Sequence, residues 1–559
     1  MRRVLAIFLD GYEHSLGQRL ISAGEMPEMS RLAASSARFL LDHGEAQRTG
    51  LAGEHVATGL SPEATRRWSA ACFDPRSYAV WQEGTRLRPF MADLKCRSVV
   101  FDAPYFNLKA APAVRGLVNW GAHDPGVAPV SRPSGLLTEI NDRFGSYPAA
   151  RWIYGFAWPS PSRSREMGAD LARAVEVRAD LAHWLLSDRF PDWELALVAT
   201  GELHSAIEGL WHGIDSTHPL NRHPAAEQAD AGVRAVYHAI DRLIGKLTSA
   251  FPDALTVVFT MGGMGPNRSD VPSMLLLPEL MYRHAFGSAL FRQPPEWDLS
   301  VGVCPILPPE TEDWERCILA KFPAPPEQYN STPPGSRSRN VVAKVLPKRV
   351  KAFLRQRLGN SPTHSSLAWM PATKYQPYWH AMSAFALPSF YDGSIRLNLI
   401  GRERDGIVKP GEYGRVLGSV EALVRECIDP ATGTSAVDFV RYPAPKDPQE
   451  LTSTQSDLVV VWKGTPVCLE HPSLGRIGPV PYRRTGGHTG PFGMAYVRSD
   501  GVPIGDHGVR SAFDVAPTII ALTGSPQRRS LSGKSLSSGL QIRDEGRAHR
   551  ASSFADHEP

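Results

Sequence analysis

Several short stretches of the chain are apolar almost without interruption: residues 4–9, 98–101, 195–199, 256–259 and 457–462, each followed by a polar turn bearing glycine. A strand with one wet face alternates, so continuous β-branched runs of this length predict strands covered on both faces. Between them the period changes. Residues 167–186 and 231–250 read as helices, the second with Val233, Val236, Tyr237, Ile240, Ile244 and Leu247 recurring every three or four positions. Strands alternating with helices predict an α/β fold with a doubly wound, mostly parallel central sheet flanked by helices. Such sheets offer their chemistry where the carboxyl ends of strands open into a crevice. The first run ends there on Asp10-Gly11.

The pattern breaks from about Arg292 to Ser366, where Pro-Pro pairs stand at 294–295, 308–309, 325–326 and 333–334, with a Ser/Arg stretch near 336–339 and a basic, helix-like segment at 344–357. The expected organisation is therefore a first core part over 1–291, a Pro-rich and basic insertion or cap over 292–366, a return to the core over 367–536, and a disordered tail over 537–559. The basic segment reads as a solvated helix face, with an anion-binding lid as the alternative.

With 559 residues, 42% hydrophobic and 21% charged, the chain can bury a large core. Its 61 Lys and Arg against 57 Asp and Glu give a net charge of +4, too little over such a surface to predict nucleic acid or a membrane as partner. No apolar stretch reaches the roughly 18 residues of a spanning helix, and Met1-Arg2-Arg3 runs straight into the first strand, so a cytoplasmic protein is expected. The six cysteines include no Cys-x-x-Cys and are expected to be buried thiols of a reducing compartment.

A carboxylate at a strand end facing a hydroxyl is a common way to hold a metal beside a nucleophile. Asp10 supplies the first, and Thr49, in Arg48-Thr49-Gly50, is the candidate hydroxyl. A threonine hydroxyl is inert near neutral pH unless a metal or base activates it, and a threonine before glycine also serves as a turn or cap residue. The stretch from Thr49 to Thr58-Gly59-Leu60-Ser61-Pro62 has the layout of a nucleophile, one short helix and a turn.

Taken in order, several segments resemble landmarks of the alkaline phosphatase superfamily, in particular its phosphodiesterase and nucleotide pyrophosphatase branch. They are the strand ending in Asp10-Gly11, the Thr49 to Thr58-Gly59 spacing, Val257-Val258-Phe259 before Gly263-Met264-Gly265, the segment from Arg396 to Glu403, and the segment from Phe513 to Leu522. The resemblance implies an alkaline phosphatase-like fold and a hydrolase with a two-metal site, normally zinc, in which one ion activates the hydroxyl and the other takes substrate oxygens. It implies Asp10 as a metal ligand and Thr49 as the nucleophile. It places His204 and Glu208, four apart on one helix face, on a ligand pair, with Glu202 as the ligand if the register slips; a structural role remains the alternative for His204. His488, in Thr485-Gly486-Gly487-His488-Thr489-Gly490, matches the last ligand.

One motif departs. Ser-Asp-His-Gly of the superfamily aligns with Thr260-Met261-Gly262-Gly263, and a thioether and a hydrogen do not bind a hard dication. The metal site is thus expected to be degenerate, holding one zinc or other divalent ion. The implied function is hydrolysis or group transfer on a phosphate ester or phosphodiester through Thr49, with His55 or Glu202 as base. The implied partner is a small-molecule phosphate or sulfate ester. Sulfuryl or another group transfer in a biosynthetic pathway, and a binding protein without turnover, are the alternatives. Asn398, Arg396, Arg402 and Arg404 offer donors for such oxygens, although Arg402-Glu403 reads equally as a structural ion pair. The aromatic group Trp369, Tyr375, Tyr378, Trp379 and Phe385 either stacks on a leaving group or packs a second layer.

Overall fold

The computed structural model describes residues 3–84, 86–121, 128–153, 160–297, 305–307, 314–324, 364–443 and 445–538. The basic segment 344–357 and the chain beyond 538 lie outside the described residues.

Nine strands form the central sheet. Val4–Leu9 runs through its middle, parallel to Leu195–Thr200 on one side and Leu255–Thr260 on the other, with Val4 opposite both Leu195 and Leu255. Ser98–Phe101 and Arg115–Val118 continue the parallel order, and Val130–Arg132 closes that edge antiparallel. Beyond Leu255–Thr260 lies Gly493–Arg498, antiparallel to it, then Ala37–Asp42, with Gly505–Ser511 at the other edge. The doubly wound, mostly parallel α/β sheet is therefore present.

The first strand shows why its sequence is uninterrupted. Leu5, Ile7 and Leu9 enter a core built with the helices Pro161–Trp184, Glu202–Ile214 and Ala226–Ala250. Val4, Ala6 and Phe8 point the other way, into a core shared with Ala52–Thr58 and Val515–Leu522. Each large side chain so covered is worth about 1.5–3 kcal/mol.

The run at 457–462 requires a correction. Leu458–Trp462 lies between Gly393–Leu397 and Val437–Arg441 in a separate, antiparallel four-stranded sheet, with Ala384–Leu387 at one edge. Leu458, Val460 and Trp462 pack into a second core, while Val459 and Val461 are buried on the opposite face. Run length reports burial on two faces; it carries no information on strand direction. That second core also takes in Leu277–Phe286, Trp297, Trp314 and Ile318, so packing of this layer begins before position 292. No helix among the described residues is long and apolar enough to cross a membrane.

Candidate metal and active site

The site starts at Asp10, whose N–H donates to Thr200 O at 3.0 Å as the first strand ends. Gly11 then turns the chain with φ +78°, and a Cβ there would come within 2.3 Å of His204 Cα and N. The absent side chain lets Glu202–Ile214 rest its first turn on the strand end, where His204 N–H donates to Asp10 O at 3.2 Å. The helix that follows, His14–Ser22, is capped by Glu13 through Ser15 N and Leu16 N, so Asp10 has no capping duty. Its carboxylate meets His204 Nδ1 at 3.0 Å.

The other nitrogen of the same ring is the hub. His204 Nε2 stands 3.1 Å from Glu208 Oε1 and 3.1 Å from His488 Nε2. His488 is carried by Gly486–Gly490, paired with Gly263–Pro266. Gly486 lies so close to the helix that a Cβ would sit 2.2 Å from Ile207 O, and Thr485 N–H donates to Glu208 O at 2.8 Å. Ligand atoms of Asp10, His204 and His488 all fall within 4.8 Å of one another. Glu208 joins them through His204 and also pairs with Arg484. These four residues and Arg484 line a cavity of about 400 Å³ together with Tyr105, Trp369, Phe390 and Tyr391.

Electrostatics differ sharply along this row. Burial lowers the His204 pKa, but Glu208 and Asp10 more than offset it and raise the ring to about 10. Burial and the neighbouring His204 push His488 down to about 4. The pair of adjacent imidazoles thus carries one positive charge between two carboxylates near pH 7.

Other residues are placed differently. The hydroxyl of Thr49 donates to Ala46 O at 2.7 Å and accepts from Leu51 N at 3.3 Å. Thr49 is absent from the cavity lining, although its neighbours Gln47 and Gly50 belong to it. Glu202 does not join the cluster: its carboxylate takes Arg178 Nε at 2.9 Å and Tyr147 OH at 3.2 Å. His55 touches the cavity only through His43, whose Nε2 lies 2.9 Å from His55 Nδ1. Asn398 is consumed by Tyr78 OH and by Trp379 O, and Arg402 by Glu403 and Asp457; neither lines the cavity, because both are buried in the second layer and satisfy its charges. Arg396 pairs with Glu403 in the same network, and Arg404 with Asp405. Of the aromatic group, Trp369 reaches the cavity, while Tyr375, Trp379 and Phe385 pack the second core.

The Met261-Gly262 departure has a structural counterpart. Met261 is 2% exposed in the core beneath the sheet. Beside Gly262 stands the Gln47 amide, which a Cβ on Gly262 would approach to 3.0 Å. Gln47 Nε2 lies within donating distance of Gly263 O at 3.1 Å, His488 O at 3.1 Å and Gly490 O at 2.9 Å. The space next to Gly262 is thus filled by an amide that also fixes the backbone of His488. Gln47, His43, Tyr391 and Arg484 all escaped the sequence reading. Of these, only Arg484 had a local signal, a basic pair directly before the Gly-rich loop.

Two of several buried histidines show how the protein responds to acid. His43 and His212, 3% and 0% exposed, are both pushed down to about 3, by burial first and then by His488 on His43 and by His218 and His223 on His212. Their folded pKa lies below the usual 6.5, so each contributes stability that is complete above pH 6.5 and is lost as pH falls towards 3. At about 1.4 kcal/mol per pH unit and histidine, acidification to about pH 5 is expected to cost roughly 2 kcal/mol for each. Urea unfolding across this range measures it, and His212→Asn should flatten the slope; an unaltered slope would contradict the assignment.

A cluster of imidazoles and carboxylates at the carboxyl ends of the middle strands of a doubly wound sheet occupies the usual ligand position of this class of fold. No protein-family model and no curated protein matches the sequence. Solved structures similar to it include phosphonoacetate hydrolase from Sinorhizobium meliloti 1021 in complex with phosphonoformate, 14% identical over 93% of this chain and 96% of that one, TM-score 0.46. Murine ectonucleotide pyrophosphatase / phosphodiesterase 5, as an inactive variant in complex with AMP, is 10% identical over 96% and 98%, TM-score 0.43. Wild-type alkaline phosphatase PafA is 10% identical over 96% and 99%, TM-score 0.45. All three are alkaline phosphatase superfamily members.

Proposed function

We propose that the chain is a metal-dependent hydrolase or group-transfer enzyme acting on a phosphate ester or phosphodiester, with one divalent ion, zinc being the best match, held by Asp10, His204, Glu208 and His488. The observation that carries this is the convergence of Asp10, His204 and His488 ligand atoms within 4.8 Å in the lining of the cavity. The donor set suits the ion: imidazole nitrogens with carboxylates are zinc ligands. A bound divalent ion would polarise a phosphoryl oxygen and ease deprotonation of a nearby hydroxyl.

The chain's own groups supply the rest. Asp10 fixes the ring orientation of His204. Arg484, held by Glu208, brings a guanidinium to the bound phosphoryl group, and Arg483, held by Asp270 and Glu315, lines the same cavity. Trp369, Phe390 and Tyr105 offer the ester group an apolar wall and keep water away. In this reading Thr49 is the nucleophile after its hydroxyl leaves Ala46 O, a side-chain rotation towards the space bordered by Gln47 and Gly50. A cytoplasmic setting belongs to the same reading: burial pushes the Cys72 and Cys427 thiols up to about 12, where they are unreactive.

One specific observation favours a second reading, an oxyanion-binding protein without turnover: the Thr49 hydroxyl is committed to the backbone. The test separates the two. Protein purified without chelators is expected to carry about one zinc per chain and to hydrolyse p-nitrophenyl phosphate or its bis ester, with p-nitrophenyl sulfate as the probe for sulfuryl chemistry. Thr49→Ala should lower turnover roughly 1,000-fold or more with metal content unchanged. Full activity in that variant removes Thr49 from the mechanism.

A further inference from the structure

Tyr391 occupies a position that no sequence pattern marks. Its ring belongs both to the 400 Å³ cavity and to an adjoining hollow of about 240 Å³ bearing Arg48, Arg268 and Asp392. One side meets His488, with ring centroids 5.8 Å apart at 63°. The other covers Gly50, where a Cβ would come 3.0 Å from the Tyr391 ring. The ring therefore stands between the metal-type histidine and the residue next to Thr49.

Its backbone is anchored from the second core. Ser273 Oγ donates to Tyr391 O at 2.5 Å and accepts from the buried Trp462 Nε1 at 2.8 Å. The hydroxyl of Tyr391, in contrast, has no hydrogen bond to any described residue. Tyr391 is only partly buried, so water reaches this hydroxyl, and a fixed ring in a cavity wall keeps its donor available to a guest. A protonated phenol offers one O–H donor.

We propose that the Tyr391 hydroxyl is a catalytic residue that donates a hydrogen bond to a non-bridging oxygen of a tetrahedral oxyanion bound at the Asp10, His204 and His488 cluster. The inference rests on the phosphoryl-transfer reading above and adds to it the group that receives developing charge. A preorganised donor of this kind contributes most where charge builds up, so removing it should cost about 100-fold in the transition state and little in the ground state.

Titration calorimetry of the full, zinc-loaded chain with inorganic phosphate and with orthovanadate, which adopts the five-coordinate geometry of phosphoryl transfer, tests this without requiring turnover. Tyr391→Phe keeps the ring between Gly50 and His488. It is expected to weaken vanadate about 100-fold and phosphate less than about threefold, with zinc content and melting temperature unchanged. Vanadate affinity within about threefold of the parent, or binding of neither oxyanion by the parent, would overturn the assignment. Tyr391-dependent vanadate binding without hydrolysis of any aryl phosphate would leave the donor in place and refute the hydrolase reading instead.

Discussion

A Gly11→Ala variant is expected to lose about 2–6 kcal/mol of stability and, with it, the metal-type cluster. Two costs add. At φ +78° an L-residue is strained by about 1–3 kcal/mol, and the new methyl would sit 2.3 Å from His204 Cα and N, which are backbone and cannot rotate aside. Relief requires Glu202–Ile214 to back away from the strand, an overpacking response worth about 1–3 kcal/mol. That shift pulls on the Asp10 to His204 hydrogen bond of 3.0 Å. The protein contains its own control. Gly24 has the same φ of +78° but nothing within 4 Å of its virtual Cβ, so Gly24→Ala shows the strain alone. Denaturant unfolding and zinc titration of both variants measure the difference; equal losses in the two would mean that close approach to the helix is unimportant.

The clustering of Asp10, His204 and His488 at the strand ends left local signals in the sequence. Burial of both faces writes an uninterrupted apolar run into 4–9, 98–101, 195–199 and 256–259, and a four-residue spacing puts His204 and Glu208 on one helix face. A Gly-rich loop announces His488, since only glycine lets Gly486 pass Ile207. The same logic misplaced 457–462, where burial on both faces comes from an antiparallel second layer. Gly505–Ser511 gave no apolar signal, being a largely exposed edge strand. Within the site, Gln47 and Tyr391 acquire their roles only when the chain closes on itself, by contacts with His488 across more than one layer. Asn398 misled for the opposite reason, whereas Arg402 forms the structural ion pair with Glu403 that the sequence also suggested. Polar residues in an apolar stretch resemble ligand donors, yet burial demands partners, and these found theirs in Asp457, Glu403 and Tyr78.

The second large effect is expected at Arg178. Its side chain and those of Asp102 and Glu202 are 0% exposed, with Nη1 donating to Asp102 Oδ2 at 2.8 Å and to Ala199 O at 3.0 Å, and Nε to Glu202 Oε1 at 2.9 Å. The guanidinium also lies 5.3 Å from the Phe101 ring centroid and 5.5 Å from that of Trp120. One cation thus answers two buried carboxylates, and Arg178→Met leaves both without it. Breaking a buried ion pair from one side costs about 3–5 kcal/mol, whereas replacing all partners by neutral groups of similar volume can cost little. Arg178→Met alone should therefore be strongly destabilised, and the Arg178→Met/Asp102→Asn/Glu202→Gln triple should recover most of the loss in denaturant unfolding. Glu202 opens the helix that carries His204, so the single variant should also weaken zinc binding while the triple restores it. A single variant as stable as the parent, or a triple no better than the single, would show that this triad is not what holds the helix start against the sheet.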